Sequence, residues 1–185
     1  MTSARNALHH FVADLPRQHS AIVEWPAARF EVAAYLHPTP PPDAYITSVR
    51  AVVLRRAEVL VIQDPDGHHM MPGGRREAGE SYVDTAVREV AEESGWQVRV
   101  GPLLGFLHFQ RLTPKPPALA YPHADSAQLV YVAYALEYRP ERREENGYEL
   151  GAQFVPLTQL ASFALEERQQ LFLQAALAAA EQTDQ

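Results

Sequence analysis

The sequence predicts a mixed α/β domain, with a sheet held between helices and an additional segment at the N-terminus. Three observations predict it. Residues 47–56 (TSVRAVVLRR), 58–64 (EVLVIQD) and 128–136 (QLVYVAYAL) are short runs of β-branched, aliphatic and aromatic residues, the composition that suits a pleated and buried surface. Between and after them lie two stretches with helical character, 82–94 and 165–180. Proline and glycine clusters separate these segments, and strands intermixed with helices argue for layers packed on a common sheet.

In chain order, residues 7–15 read as a short helix stopped by Pro16, and 29–36 (RFEVAAYL) as a strand. The HPTPPPD run at 37–43 breaks regular structure and marks a boundary. Residues 1–46 are accordingly taken as an N-terminal extension and 47–185 as the main domain. A strand outside the core domain leaves an edge that must pair. The extension is therefore expected to add to the sheet of its own or a partner subunit, making a homodimer. Segments 47–56 and 58–64 form a hairpin, and Asp64-Pro65-Asp66-Gly67 is a turn by composition. His69-Met70-Met71 leads into Pro72-Gly73-Gly74, expected as loop. Residues 98–110 are expected as strand, 112–125 as a proline-rich loop, 139–150 as a charged loop and 153–155 as a short strand. Residues 165–180 are rich in Ala, Leu and Gln, strong helix formers.

Composition sets limits. The 185 residues carry a net charge of -7, so polymeric nucleic acid, whose binding rests on cationic side chains, is not an expected partner. A phosphorylated small molecule remains compatible, because a bound cation supplies the missing positive charge. With no cysteine there is no disulfide, thiolate metal site or cysteine nucleophile. No apolar run reaches the roughly 18 residues of a membrane span, and residues 1–20 lack the apolar core of a secretory signal. No membrane association and a cytoplasmic location are the expectations.

The chemistry is concentrated in residues 74–96, GRREAGESYVDTAVREVAEESGW. Ser81 is placed to cap a helix, with Asp84 three residues on completing a capping box, and Gly95 stands where a left-handed C-cap is wanted. At about 100° per residue, Val83, Ala86, Val87 and Val90 share one face, and Glu89, Glu92 and Glu93 crowd together on a neighbouring one. Like charges at these spacings destabilise a helix by a few tenths of a kcal/mol per pair, and a hard divalent cation with its preference for oxygen ligands reverses that sign. Taken alone, such a cluster is more often a solvated acidic face.

The surrounding residues decide between the two. The stretch matches the Nudix box, G-x5-E-x7-R-E-U-x-E-E-x-G-U with U apolar, at every fixed position: Gly74, Glu80, Arg88, Glu89, Val90, Glu92, Glu93, Gly95 and Trp96. The chain thus resembles the Nudix hydrolases over about residues 47–180, and the resemblance implies an α/β/α sandwich and hydrolysis of a diphosphate in a nucleotide-like small molecule. It also implies Mg2+ (or Mn2+) held by Glu89, Glu92 and Glu93, with a further contact from Glu80. Arg88 would orient the carboxylates through bidentate bonding rather than touch substrate. Glu92 and Glu93, with Arg88, are the expected catalytic group. In this family the general base is a box glutamate in some members and a later-loop glutamate in others; of Glu144, Glu145 and Glu149, the last is preferred because it lies nearest the 153–155 strand.

Gly73, Gly74, His69, Arg76 and Arg111 are the expected substrate-side residues. His69 stands where family members often have an aromatic residue, and Arg76 where they often have an apolar one, which bears on substrate choice rather than on the reaction. Arg111 and Lys115 are cations suited to phosphate. The residues before the box do not resemble the additional motif of coenzyme A pyrophosphatases. Pro114, 18 residues past Trp96, is near but not at the proline position of ADP-ribose pyrophosphatases. A nucleoside diphosphate linked to another moiety, ADP-ribose or a nucleotide sugar, is ranked above a nucleoside triphosphate. Two readings from other classes compete. One is a nucleotide-binding regulator that has kept the fold without hydrolysis, which usually loses box glutamates; the other is an interaction protein acting through its N-terminal extension. Phosphate release with and without magnesium discriminates them.

Overall fold

The computed structural model describes residues 3–117, 123–145 and 147–183. Among the described residues, three α-helices and nine strands appear in the order α1 (Ser3–Ala13), β1 (His19–Trp25), β2 (Ala28–Leu36), β3 (Ile46–Arg55), β4 (Glu58–Asp64), β5 (Gly67–His69), β6 (Gly73–Arg75), α2 (Tyr82–Ser94), β7 (Trp96–Arg111), β8 (Ser126–Tyr138), β9 (Gly151–Pro156) and α3 (Glu167–Thr183). The strands form one mixed sheet in the order β1-β2-β7-β8-β3-β4-β5, with β6 added beside β3 and β9 beside β4. The β3–β8 pairing is parallel and all others are antiparallel.

Helices cover both faces, as the composition of the central strand requires. In β3, Val52 and Leu54 point to one side, where Phe172, Leu173 and Ala176 of α3 meet them. Val49, Ala51 and Val53 point to the other, where Phe11 and Val12 of α1 and Ala86 and Val90 of α2 pack. A strand buried on both faces reads as a continuous apolar run rather than an alternating one, which is why VRAVVL shows no period of two.

Strand β7 is longer than the 98–110 expected and irregular. Its pairing with β8 shifts register between Gln97 and Val98, Val100 and Leu103, and Leu103 and Gly105. Pro102 sits inside this interval; lacking an N–H, it is tolerated where the ladder is already interrupted. The stretch expected as loop before the box contains two three-residue strands, β5 and β6, too short to leave a pattern in sequence. Met70 and Met71 between them are buried. Of the loop expected over 112–125, residues 118–122 lie outside the described residues.

The N-terminal segment joins the sheet of its own chain. Residues Phe30–Leu36 pair with Gly105–Arg111 of β7, and β1 pairs with β2 as the outer strand. Phe30, Val32 and Ala34 lie in the same core as α3, and Ala33 and Tyr35 in the core beneath α1. Deleting residues 1–46 bares an edge of seven paired residues and both of these surfaces. The truncated chain is expected to aggregate when examined by size-exclusion chromatography. A soluble truncation product with unchanged association state would contradict this. No helix among the described residues is long and apolar enough to cross a membrane.

Candidate active site

The sequence forms α2 through local contacts at both ends. Ser81 Oγ accepts from the Asp84 N–H, and Asp84 Oδ2 accepts from the Ser81 N–H. Gly95 closes the helix in the left-handed conformation, φ 75°. Ala86, Val90 and Ala91 are buried, whereas Val83, expected on the core face, is 45% exposed in the first turn. There the helix has not yet reached the sheet, so period alone misplaces the residue.

Rotation about this helix brings Arg88 into the middle of the acidic group. Its Nε donates to Glu80 Oε1 at 2.7 Å and its Nη2 to Glu80 Oε2 at 3.1 Å. Its Nη1 donates to Glu89 Oε1 and to Glu92 Oε2, each at 2.9 Å, and Nη2 also reaches the Arg75 carbonyl. One guanidinium therefore fixes three carboxylates relative to the strand that precedes the helix. Glu80 is the most completely engaged: it also accepts from the Thr85 hydroxyl and the Glu77 N–H, and the Arg88 hydrogen bonds above all hold its carboxyl down at about 2. Glu80, expected as a further metal contact, has both oxygens hydrogen-bonded to protein groups and anchors Arg88.

Glu93 faces the opposite situation. It is 8% exposed; Oε1 accepts from the Gly73 N–H at 2.9 Å, and Oε2 is buried with no partner. Burial pushes its carboxyl up to about 8, against the Gly73 hydrogen bond and the nearby Arg50 charge, which favour ionisation. Burial also raises Glu89, with Arg88 opposing it. A buried carboxylate oxygen without a partner is costly, and a cation is the simplest group that satisfies it. The negative charges that act on Glu93 are those of the Glu149 and Glu89 carboxylates, and carboxylate oxygens suit a hard divalent ion such as Mg2+. The residues present fit the metal that the box implies.

Two glycines make this arrangement possible. A side chain on Gly73, whose φ is 150°, would stand 2.1 Å from the Val49 carbonyl oxygen; one on Gly74 would stand 2.5 Å from the Glu89 carboxylate. Expected on the substrate side, both serve the carboxylates in this geometry, Gly73 by donating to Glu93 and Gly74 by leaving room for Glu89.

A cleft of about 590 Å3 opens beside Glu93. Glu149 and His69 line it, whereas Glu144 and Glu145 are exposed elsewhere on the loop. His69 Nε2 lies 3.3 Å from Asp64 Oδ2, and burial pulls its imidazole down to about 4, so the ring is neutral near pH 7. A second lobe of about 610 Å3 shares Trp25, Arg50, Phe109 and Gln128 with the first. Arg50, not anticipated, donates to Gln128 Oε1 and to the Met71 carbonyl, and it is the cation that acts on Glu93. Trp25, also not anticipated, is 51% exposed and stacks on Phe109 with ring centroids 5.8 Å apart.

Two expected substrate residues are placed differently. Arg111 ends β7 rather than opening a loop; it is buried in the wall of the second lobe, donates to the Pro114 and Ala27 carbonyls and lies over the Phe30 ring. Arg76 pairs with Asp43 and covers the Tyr82 ring, and lines neither lobe. In each case a partner distant in sequence, Ala27 for Arg111 and Asp43 for Arg76, engages the guanidinium. His123 stacks on Tyr45 in the second lobe, and His108 is buried beneath α1.

A mixed sheet between helices, with a capped acidic helix beside a two-lobed cleft, defines the class of a small hydrolase of phosphate anhydrides. The chain belongs to the Nudix family: the NUDIX domain profile matches residues 44–176, and the protein is a Nudix hydrolase, a pyrophosphohydrolase. No curated protein matches it in sequence. Among solved structures, a mutant of the Bacillus subtilis pyrophosphohydrolase BsRppH is similar in fold, with a TM-score of 0.60 at 16% identity over 88% of this chain and 97% of that one. An ADP-ribose pyrophosphatase from Streptococcus suis superposes with a TM-score of 0.51 at 18% identity, covering 72% and 90% of the two chains. A UDP-X diphosphatase gives 0.51 at 19% identity, covering 80% and 66%.

Proposed function

We propose that the protein hydrolyses the diphosphate bond of a nucleoside diphosphate linked to a second moiety, ADP-ribose or a nucleotide sugar, with Mg2+ or Mn2+ held by Glu89, Glu92 and Glu93. The observation that carries this reading is the cleft with two lobes meeting at Arg50. A diphosphate placed at the junction has a cation on one side and the carboxylate group on the other. The lobe containing Trp25, Phe30 and Phe109 offers aromatic surface for a base. The lobe containing Asp64, Asp66, His68 and Glu149 offers acceptors for sugar hydroxyls. Two of the similar structures carry names of enzymes acting on such linked diphosphates, which supports the ranking over a triphosphate.

When bound, the divalent ion neutralises the diphosphate and acidifies a water. Arg88 holds Glu89 and Glu92 in place through its three-way bonding, and Glu80 holds Arg88. Gly73 fixes the rotamer of Glu93. Glu149, whose charge reaches Glu93 across the cleft, takes the proton of the attacking water. Arg50 draws the phosphoryl oxygens toward the junction, and His69, being neutral, serves as a hydrogen-bonding group rather than a countercharge. In this reading the small molecule is the partner, in the cytoplasm. A homodimer would form through β1, the outer strand, where Ile22 and Trp25 are exposed.

A magnesium-supplemented panel of nucleoside triphosphates, nucleotide sugars and ADP-ribose, with products separated by chromatography, tests the proposal. Cleavage of linked diphosphates to two monophosphates is expected, and Trp25→Ala should raise KM for them about tenfold or more, from the ~1–3 kcal/mol of an aromatic–base stack. Rapid conversion of triphosphates with linked diphosphates untouched would overturn the ranking. No hydrolysis of any member, with binding retained, would favour the nucleotide-binding regulator.

A further inference from the structure

On the same face of the sheet as the acidic helix, but beneath α1 rather than α2, lies a second group of ligand atoms. His9 on α1, His108 on β7 and Asp125 just before β8 each offer one donor atom, and these atoms lie within 4.8 Å of one another. Nothing in sequence proximity brings them together: α1 must dock on the sheet, and β7 and β8 must pair, before the three meet.

The local chemistry is that of a built site. Asp125 is 3% exposed; its Oδ1 accepts from the Arg111 N–H at 3.0 Å, which fixes the carboxylate plane, and its Oδ2 lies 3.0 Å from His9 Nε2. His108 is also 3% exposed, and its Nε2 is buried with no hydrogen-bond partner. The rings of His9 and His108 stand edge to face, 83° apart with centroids at 5.8 Å. An imidazole nitrogen sealed from water without a partner is costly, and sequences rarely retain that cost without a use. Only the His9 side chain, 40% exposed, opens the group to solvent, which provides a path of entry.

We propose that His9, His108 and Asp125 form a structural site for a transition-metal ion of the zinc class, separate from the carboxylate site on α2. Two imidazoles with one carboxylate select borderline ions such as Zn2+, whereas an all-carboxylate set selects Mg2+. The backbone donation from Arg111 to Asp125 is the outer hydrogen bond that such ligands ordinarily carry. The bound ion ties α1 to the β7–β8 pair at the root of the loop whose Pro116, His123 and Ala124 border the second lobe of the cleft. It thereby links the N-terminal segment to the shape of the substrate site.

The test uses the full-length protein, stripped with chelator and held in millimolar Mg2+ to occupy the acidic helix. Zn2+ is titrated against a chromophoric chelator, and Co2+ serves as a visible-absorption probe. One equivalent of Zn2+ is expected to bind, with a rise in Tm, and Co2+ should give ligand-field bands of an imidazole-containing site. His9→Ala should weaken Zn2+ binding by more than about 100-fold, beyond what loss of an outer partner produces. Because His9 is partly exposed, this variant keeps the fold where His108→Ala can leave a hole. Glu93→Gln should leave Zn2+ affinity and the Co2+ spectrum unchanged. Absence of stoichiometric Zn2+ binding, indifference to His9→Ala, or loss of the site in Glu93→Gln would each overturn the proposal.

Discussion

Glu93→Gln is expected to lower turnover about 10^3-fold while making the metal-free protein more stable. The loss follows from removing a ligand to an ion that contributes several kcal/mol to the transition state, at 1.36 kcal/mol per tenfold in rate. The gain in stability follows from the orphaned Oε2. The folded carboxyl titrates at about 8, above its ordinary 4.5, because burial disfavours the charge. A raised carboxylate contributes stability that is complete below pH about 4.5 and lost as pH rises through 8. Glutamine keeps an acceptor for the Gly73 N–H and never ionises. In EDTA, the Tm of the wild type should therefore fall relative to the variant between pH 5 and 8, and excess Mg2+ should close the gap for the wild type alone. Parallel Tm profiles for the two proteins would show that Glu93 is not a strained buried charge.

Glu149→Gln should lower kcat by about 10^2–10^4-fold, the usual contribution of a positioned general base, with little change in KM or in metal affinity. Its location on the wall of the cleft that Glu93 also lines, and the exposure of Glu144 and Glu145, separate it from its neighbours in sequence. The same substitutions at Glu144 and Glu145 should leave kcat near the wild-type value. Steady-state kinetics on the best panel substrate decides. If Glu149→Gln retains wild-type kcat, the proton goes elsewhere, and a box glutamate becomes the base.

The features legible in the sequence are those fixed by local chemistry. The α2 helix announces itself through Ser81, Asp84 and Gly95, each acting within a few residues, and the carboxylate face follows from helix geometry alone. Arg88 could be assigned an orienting position because its partners Glu89 and Glu92 are helix neighbours. Features that depend on pairing between distant segments were hidden. Arg50 sits in an apolar strand and gains its meaning from β6 and β8 beside it, which bring Gly73 and Gln128 to it. Trp25 belongs to a segment that looked separate from the catalytic domain, yet β2 carries it to the rim of the cleft. Arg111 and Arg76 looked like free cations until tertiary contacts supplied Ala27, Pro114, Asp43 and Tyr82 as partners. Charge is readable in a sequence, but whether that charge is already satisfied is not.

The central claim is that the Glu89, Glu92 and Glu93 face is a divalent-ion site. Mn2+ binding, read from the loss of the free-ion electron paramagnetic resonance signal, tests it without reference to any substrate. Wild-type protein is expected to quench that signal in saturable fashion, and Glu93→Gln, folded and at equal concentration, to leave most of the acidic-site binding undone. Indistinguishable Mn2+ isotherms for the two proteins would contradict the claim.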